Sequence, residues 1–587
     1  MREIVGTAAY LLLPGALCII QKKILPKLTF VEKIPLGIIG SFAWWITGFW
    51  FLRIVPISLS AFITVSFIFS VLLLALRFSR GSFSFGPART NLTAFLFFAL
   101  ILIPLSPLFH ATVPPGKDMS MHGYMATVIR NKNGFPVSMR PLAPVDHFGF
   151  YPVGLPVLAA GLSEVNALPI SANLVLLDLC TLWLFAAMLY VLLRIRWPVL
   201  PSMLAAALVT WANTVPMAIL SWGAAPTVLS FVFLFSAFTV PLPFSFALIF
   251  ASFLTHYIIP VAAVYFGIPL LFLFWNPIRS QIKAYIRSPK PLAIFLITIP
   301  LLWHVRNFSF RVTPAVARYV SGLQQADLTA YTGAPGWNIL LASIRFLETN
   351  FSHPIFALYG LAVLTILILG NWRHLVWQAV LLLVLLALIM NSRYFVLPFS
   401  LLLYPDRIVL FGILPAAFGI AEGATVFLRE TYASVIRHTQ KNNLLLHAVF
   451  VSVIAYMVLP VLRVNSRIFT TAVRLTPVTA SDLTAMNWIR THTPPAATIF
   501  TNENDAGIWI PAIAERAATS YQTNPIDMMA RMPLPAPSYA FSGSRTLTEN
   551  GLDPVMVSVR EHPGNYRLVF SQGNAKVYRV LPEQTTN

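Results

Sequence analysis

Ser171 to Leu193 reads SANLVLLDLCTLWLFAAMLYVLL, and Arg194 and Arg196 follow at once. As a helix such a run crosses about 30 Å of hydrocarbon, and one carboxylate, Asp178, interrupts it. Similar apolar runs recur at roughly 3 to 20, 34 to 52, 54 to 76, 91 to 109, 198 to 220, 292 to 304, 355 to 370, 375 to 390, 408 to 428 and 444 to 463. Between 224 and 275 the apolar sequence is cut by Pro241, Pro243 and Pro260, which predicts three short helices that fold back rather than one long helix. With 57% hydrophobic and 10% charged residues and a mean hydropathy of +0.75, the chain cannot cover a water-facing surface with polar groups. The reading is an all-α polytopic membrane protein of about 12–14 transmembrane helices.

All but one unit of the net charge of +20 lies in residues 1–463. If the spans alternate, Lys22, Lys23, Lys27, Arg77, Arg80, Arg89, Arg194, Arg196, Arg279, Lys283, Arg287, Lys290, Arg373, Arg429, Arg437 and Lys441 share one side, and Lys/Arg-rich short loops mark the cytoplasm. The opposite face receives two long loops, 110–170 and 305–354, and the C-terminal tail. A strongly apolar chain with this charge placement points to lipid headgroups, not nucleic acid. Cys18 and Cys180 both lie in apolar runs, so neither a disulfide framework nor a thiolate metal site is expected. Ile19-Ile20-Gln21-Lys22-Lys23 contains no small-residue cleavage site, so the first run reads as a span rather than a removed signal.

From 464 to 587 the long apolar runs stop. Thr479-Ala480-Ser481-Asp482 supplies helix caps, Met486 to Arg490 reads as helix, and Pro494-Pro495 precedes a strand at Thr498-Ile499-Phe500. Tyr566 to Phe570 and Ala575 to Val580, joined through Ser571-Gln572-Gly573-Asn574, read as a hairpin. A small extracytoplasmic α/β domain is expected, following the 1–463 transmembrane domain.

Chemistry concentrates in the first outer loop. Asp118 and His122 stand at i and i+4, one face of a helix, and Asp146-His147 and Phe150-Tyr151-Pro152-Val153-Gly154 follow. A carboxylate there is suited to deprotonating a hydroxyl or, with His122, to holding a divalent metal ion; the plainer reading is a helix cap with interfacial histidines. Tyr404-Pro405-Asp406-Arg407 opens a late apolar run. Pro starts helices well, and the guanidinium fork suits phosphate oxygens, so Arg407 is a phosphate ligand, a partner of Asp406, or an anchor to headgroups. Arg393 and Tyr404 share these alternatives. His256, where 224–275 turns, is either a cavity-facing ligand or an ordinary hydrogen-bonded histidine. Asp178 and Glu422 need partners at membrane depth.

Arg306, Arg311, Arg318 and Tyr319 in the second loop suit a phosphate with a stacked sugar, or lipid headgroups. Asn307-Phe308-Ser309 and Asn350-Phe351-Ser352 are outward-facing sequons. Asn502-Glu503-Asn504-Asp505 reads as a metal loop or as an Asn/Asp-capped turn.

Together, the Asp-x-x-x-His element at Asp118 and His122, the Tyr-Pro-x-Gly segment at Tyr151, Arg407 at the start of a late helix, and the outer C-terminal domain resemble the GT-C superfamily of membrane glycosyltransferases, across most of residues 91 to 520. That superfamily includes oligosaccharyltransferases, protein mannosyltransferases and aminoarabinose transferases. The resemblance implies sugar transfer from a polyprenyl-phosphate-linked donor to a glycan, lipid or protein acceptor on the outer face of the cytoplasmic membrane, with Asp118 as base or metal ligand and His122 beside it. By their own chemistry Arg407, Arg393 and Tyr404 are the candidates for the donor phosphate, and Tyr151, Asp146, His147 and His256 those for the substrate. A transporter or flippase for lipid-linked saccharides, or a polymerase or ligase using them, is the alternative.

Overall fold

The computed structural model describes residues 1–16, 19, 25–79, 87–145, 148–149, 151–273, 345–348, 350–370, 372–394, 405–437, 442–520, 534–545 and 553–581. Five helices, Val31–Phe51, Leu59–Arg77, Ile170–Arg194, Arg373–Met390 and Asp406–Glu430, are long and apolar enough to cross a membrane. Two bent pairs raise the number to seven among the described residues. Both pairs depart from the straight spans expected at 91–109 and 198–220. Ala88–Leu100 and Ile103–His110 meet at 44°, Val199–Trp211 and Val215–Ser221 at 43°. Pro104, Pro107 and Pro216 sit in the second member of each pair. Proline supplies no amide hydrogen and its ring collides with the preceding turn, so a bend falls there. The 224–275 segment forms three short helices, Ala225–Ala237, Leu242–Thr255 and Ile258–Leu273. Pro241 caps the second, and the chain is extended at His256 between the second and third.

Burial separates the helices by role. The apolar windows of Ile170–Arg194 and Asp406–Glu430 are 83% and 78% buried, whereas those of Leu59–Arg77 and Arg373–Met390 are 22% buried. Val65, Ile68, Leu72 and Leu76 point outward from Leu59–Arg77, where a helix facing water would carry polar residues. The sequence therefore builds a bundle whose outer surface is apolar as well as its core.

At the Arg194 end of the bundle, Tyr190 Oη and Arg194 Nε donate to Glu32 Oε1 at 2.6 and 2.9 Å. Nearby in the fold, Trp197 Nε1 donates to Glu422 Oε2 at 2.5 Å and His374 Nδ1 lies 3.0 Å from Glu422 Oε1. Glu422 is thus accounted for as a link between helices. Asp178 is not: both its carboxylate oxygens are buried without a hydrogen-bond partner among the described residues.

The 110–170 segment is no loose loop. It contains the helices Asp118–Lys132 and Gly154–Asn166, and every residue from Met119 to Ile129 is buried. One lid over Asp118–Lys132 is the C-terminal sheet unit. Its strands β1 (Thr498–Phe500), β2 (Ala517–Ala518), β3 (Tyr539–Ser542), β4 (Tyr566–Gln572) and β5 (Ala575–Val580) lie in the order β2-β1-β3-β5-β4. The β1 strand is parallel to β2 and β3, and β5 is antiparallel to β3 and β4. The helix Ala480–His492 carries a capping box between Thr479 and Asp482. It packs on the hairpin through Trp488, whose ring stacks on Phe570 at 5.5 Å.

The unit is bonded to Asp118–Lys132 along its length. Lys117 Nζ donates to Asn504 Oδ1 at 2.7 Å, Thr127 Oγ1 to the Ala512 carbonyl at 3.1 Å, and Arg130 Nη2 pairs with Glu515 at 2.6 Å. Gly123 meets Trp509 and Ala512 directly. First loop and C-terminal unit therefore lie at one end of the bundle.

Candidate functional site

Asp118 is the first residue of its helix, and Lys117, not Asp118, holds the capping position. Two glycines fix that start. Gly116 and Gly223 both have φ of +89°, and a Cβ on Gly116 would collide with the backbone of Trp222 and Gly223. Only glycine permits both the left-handed backbone and the close approach, so the 116–118 turn is pressed against the loop after Val215–Ser221. A Cβ on Gly223 would in turn touch that of Asp118.

One turn into the helix, His122 is 1% exposed and its ring lies 5.7 Å from that of Tyr151. Tyr151 belongs to the segment entering Gly154–Asn166, and Gly154 packs so closely on Thr255 that any side chain would collide. That contact delivers His256, the next residue, to the same place. Its Nε2 is 2.7 Å from Nη1 of Arg407. A guanidinium has no acceptor, so Arg407 donates and His256 is a neutral imidazole carrying its proton on Nδ1. Arg407 itself lies 4.0 Å from Asp406 through Nε, and the Asp118 carboxylate and the phenols of Tyr151 and Tyr257 lie close enough to influence it electrostatically.

Five residues from four separate stretches of chain, Asp118, His122, Tyr151, His256 and Arg407, therefore converge at one end of the bundle. The arrangement brings the Asp118 carboxylate near the Arg407 guanidinium, which Asp406 also flanks, together with two imidazoles and a phenol. Burial first, and the Arg407 charge second, push the His122 imidazole down to about 3, so it is neutral across the physiological range. Nδ1 of His122 and Nδ1 of His256 are buried without a hydrogen-bond partner among the described residues. A buried polar atom left so is costly, and both are available to a polar substrate.

No group of three or more metal-binding side chains occurs among the described residues, and the Arg407 charge opposes a cation in the same space. Asp146, His147 and Tyr404 lie outside the described residues, as does the second loop from 305 to 344. Arg393 falls within the helix Arg373–Tyr394, its side chain outside the description.

Tyr257, stacked on His256 at 5.5 Å, is a member the sequence reading did not name. Its only signal was adjacency to a histidine at a helix break. The Asn350 sequon is held by local bonds: its amide donates to the Phe346 carbonyl at 2.8 Å, Phe351 is buried, and Ser352 donates to the Ala212 carbonyl at 2.6 Å. In the tail, Asp505 accepts from the Gly507 and Gly543 amides at 2.6 and 2.8 Å, the capped-turn alternative.

No model of a protein family matches the sequence, and no curated protein matches it.

Proposed function

We propose that the chain is an integral membrane glycosyltransferase of the GT-C type. It moves a sugar from a polyprenyl-phosphate-linked donor to a hydroxyl of a glycan, lipid or protein acceptor, at the extracytoplasmic face of the cytoplasmic membrane. The observation that carries this reading is the convergence of Asp118 and Arg407, nearly three hundred residues apart in the sequence, within electrostatic reach of one another, with the residue before Asp118 bonded to the C-terminal unit. The count of about 12–14 spans would draw on the shorter apolar helices Ala225–Ala237, Phe244–Thr255, Ile258–Pro269 and His353–Leu369. The cytoplasmic excess of Lys and Arg supports the orientation.

Displacement at an anomeric carbon needs a base on the acceptor side and stabilisation of the leaving oxygen on the other. Asp118 takes the proton of the acceptor hydroxyl as its oxygen bonds to the anomeric carbon. The carbon–oxygen bond to phosphate breaks, its electron pair leaves with the phosphate, and configuration inverts. Arg407 meets the phosphate charge, and no proton is needed there because a phosphate leaves as an anion. His256 holds the guanidinium in orientation. His122 and Tyr151 line the sugar side, where a neutral imidazole and a phenol donate and accept without adding charge.

Binding of a polyprenyl phosphate to the purified full chain tests the assignment. Arg407→Ala is expected to weaken it by about 1.5 to 3 kcal/mol, with Lys a partial substitute. An unchanged affinity in a folded variant would return Arg407 to the role of a lipid anchor.

A further inference from the structure

A cleft of about 850 Å³ opens between the end of Val215–Ser221 and the last turns of Asn442–Arg474, beside the Gly116–Lys117 turn. It adjoins the cluster above, but none of Asp118, His122, His256 or Arg407 lines it. Val464, Ile468 and Leu475 form one wall, a stripe at helical spacing, and Trp222 forms the facing wall. Trp222 is 53% exposed and Leu475 58%, a large apolar surface at the mouth of a cleft. Lys117 and Arg467 line the same space. Arg467 makes no ion pair among the described residues. Lys117 spends one of its three donors on Asn504, and among the described residues no acidic side chain lines the cleft. The volume is that of a small-molecule site.

We infer that this cleft binds an anionic membrane lipid, the phosphate between Lys117 and Arg467 and the first chain carbons along Trp222, Val464, Ile468 and Leu475. Two cations without a facing carboxylate select an anion. An exposed tryptophan opposite an aliphatic stripe selects a chain attached to it. The depth agrees: the apolar part of Asn442–Arg474 ends near Arg463, and Arg467 stands one turn beyond, where headgroups lie above hydrocarbon. Because Lys117 also grips the Asn504 loop, a lipid seated here bridges the C-terminal unit, the turn before Asp118 and the bilayer. The site is independent of the reading of Arg407 as the donor-phosphate group.

The test titrates the detergent-solubilised full chain with dioctanoyl phosphatidic acid, dioctanoyl phosphatidylcholine or inorganic phosphate, and reads bound lipid by native mass spectrometry. Phosphatidic acid should bind at least about tenfold tighter than phosphatidylcholine, and inorganic phosphate at equal concentration should not displace it. Arg467→Gln should weaken binding by about tenfold. Leu475→Glu, a change at an exposed position that sets a like charge beside the phosphate, should do the same. Arg407→Ala should leave this component unchanged. Equal binding of phosphatidylcholine would reduce the cleft to an apolar groove, and competition by inorganic phosphate would make it a free-anion site. Binding that survives both cleft variants but is lost in Arg407→Ala would place the lipid at the other cluster. Any of these three results overturns the inference.

Discussion

Arg407 Nη1 donates to His256 Nε2 at 2.7 Å, joining residues 151 positions apart. Each constrains the other: the guanidinium fixes the imidazole tautomer, and the imidazole fixes one of the five donors of the guanidinium. Held at one donor, the guanidinium keeps a set direction, which is what recognition of a phosphate by a fork requires.

His256→Ala is therefore expected to weaken polyprenyl-phosphate binding by about 1 to 2 kcal/mol. His256→Gln, whose side-chain oxygen can accept the same bond, should recover most of it. A merely structural histidine would show the opposite pattern, with both variants equally impaired and the loss appearing in thermal stability rather than in donor affinity. Titration of donor against the two variants, with unfolding temperatures measured in parallel, distinguishes these outcomes.

His122 predicts an acid limb in stability. Its imidazole is held at about 3 by burial and then by Arg407, below the ordinary value of about 6.5. The unfolded chain then binds the extra proton over that interval. Stability from this residue is complete above about 6.5 and is lost as pH falls toward 3. Between pH 6.5 and 5 the loss amounts to about 2 kcal/mol. Scanning unfolding of the full chain should show it, and His122→Gln should flatten that part of the curve. A parallel decline in the variant would assign the acid limb to other groups.

Asp505 gives the opposite sign. Burial pushes its carboxyl up to about 7; the Gly507 and Gly543 amides oppose the rise, and Asp553 and Asp482 add to it. Here the folded chain holds the extra proton, so the stabilisation is present below about 4 and is lost as pH rises through about 7. Asp505→Asn should lessen the fall in unfolding temperature between pH 5 and 8, at the cost of one accepted amide bond, since Gly507 and Gly543 donate to different carboxylate oxygens and the Asn side chain keeps only one acceptor. A variant with the same slope as the parent would show that Asp505 titrates normally.

These groups differ in how far the sequence disclosed them. The run from Ser171 to Leu193 announces its helix because nothing but apolar packing determines it, and the helix Ile170–Arg194 follows. The Pro-cut segment from 224 to 275 announces three short helices for the same local reason. The capping box at Thr479 and Asp482 and the hairpin at 566–580 are equally local. What stays hidden is long-range: that Gly154 admits Thr255 and so delivers His256, or that Gly116 and Gly223 press the start of the Asp118 helix into place, depends on backbone contacts between distant segments. Residue types suggested Asp118 and Arg407 as candidates. Their proximity, and the presence of Tyr257 beside them, are properties of packing that no spacing along one helix encodes.

Asp118 supports the sharpest prediction, since its helix start is fixed by backbone packing rather than by the carboxylate. Asp118→Asn keeps the shape of the side chain and its ability to accept a hydrogen bond but removes the basicity on which proton abstraction depends. Loss of general-base assistance costs about 10² to 10⁴ in rate, so turnover should fall by at least the lower figure. Donor binding should change little, because the proposed contact to the leaving phosphate is Arg407 and not Asp118. Asp118→Glu, one methylene longer, should restore part of the rate only if the carboxylate acts directly on the acceptor, since the longer side chain keeps basicity but shifts its position. Single-turnover transfer from a polyprenyl-phosphate sugar, alongside binding of the polyprenyl phosphate alone, separates the two effects. If Asp118→Asn transfers within a few-fold of the parent, the carboxylate is only a first-turn helix charge favoured by the dipole. The base would then have to be sought elsewhere at the same end of the bundle.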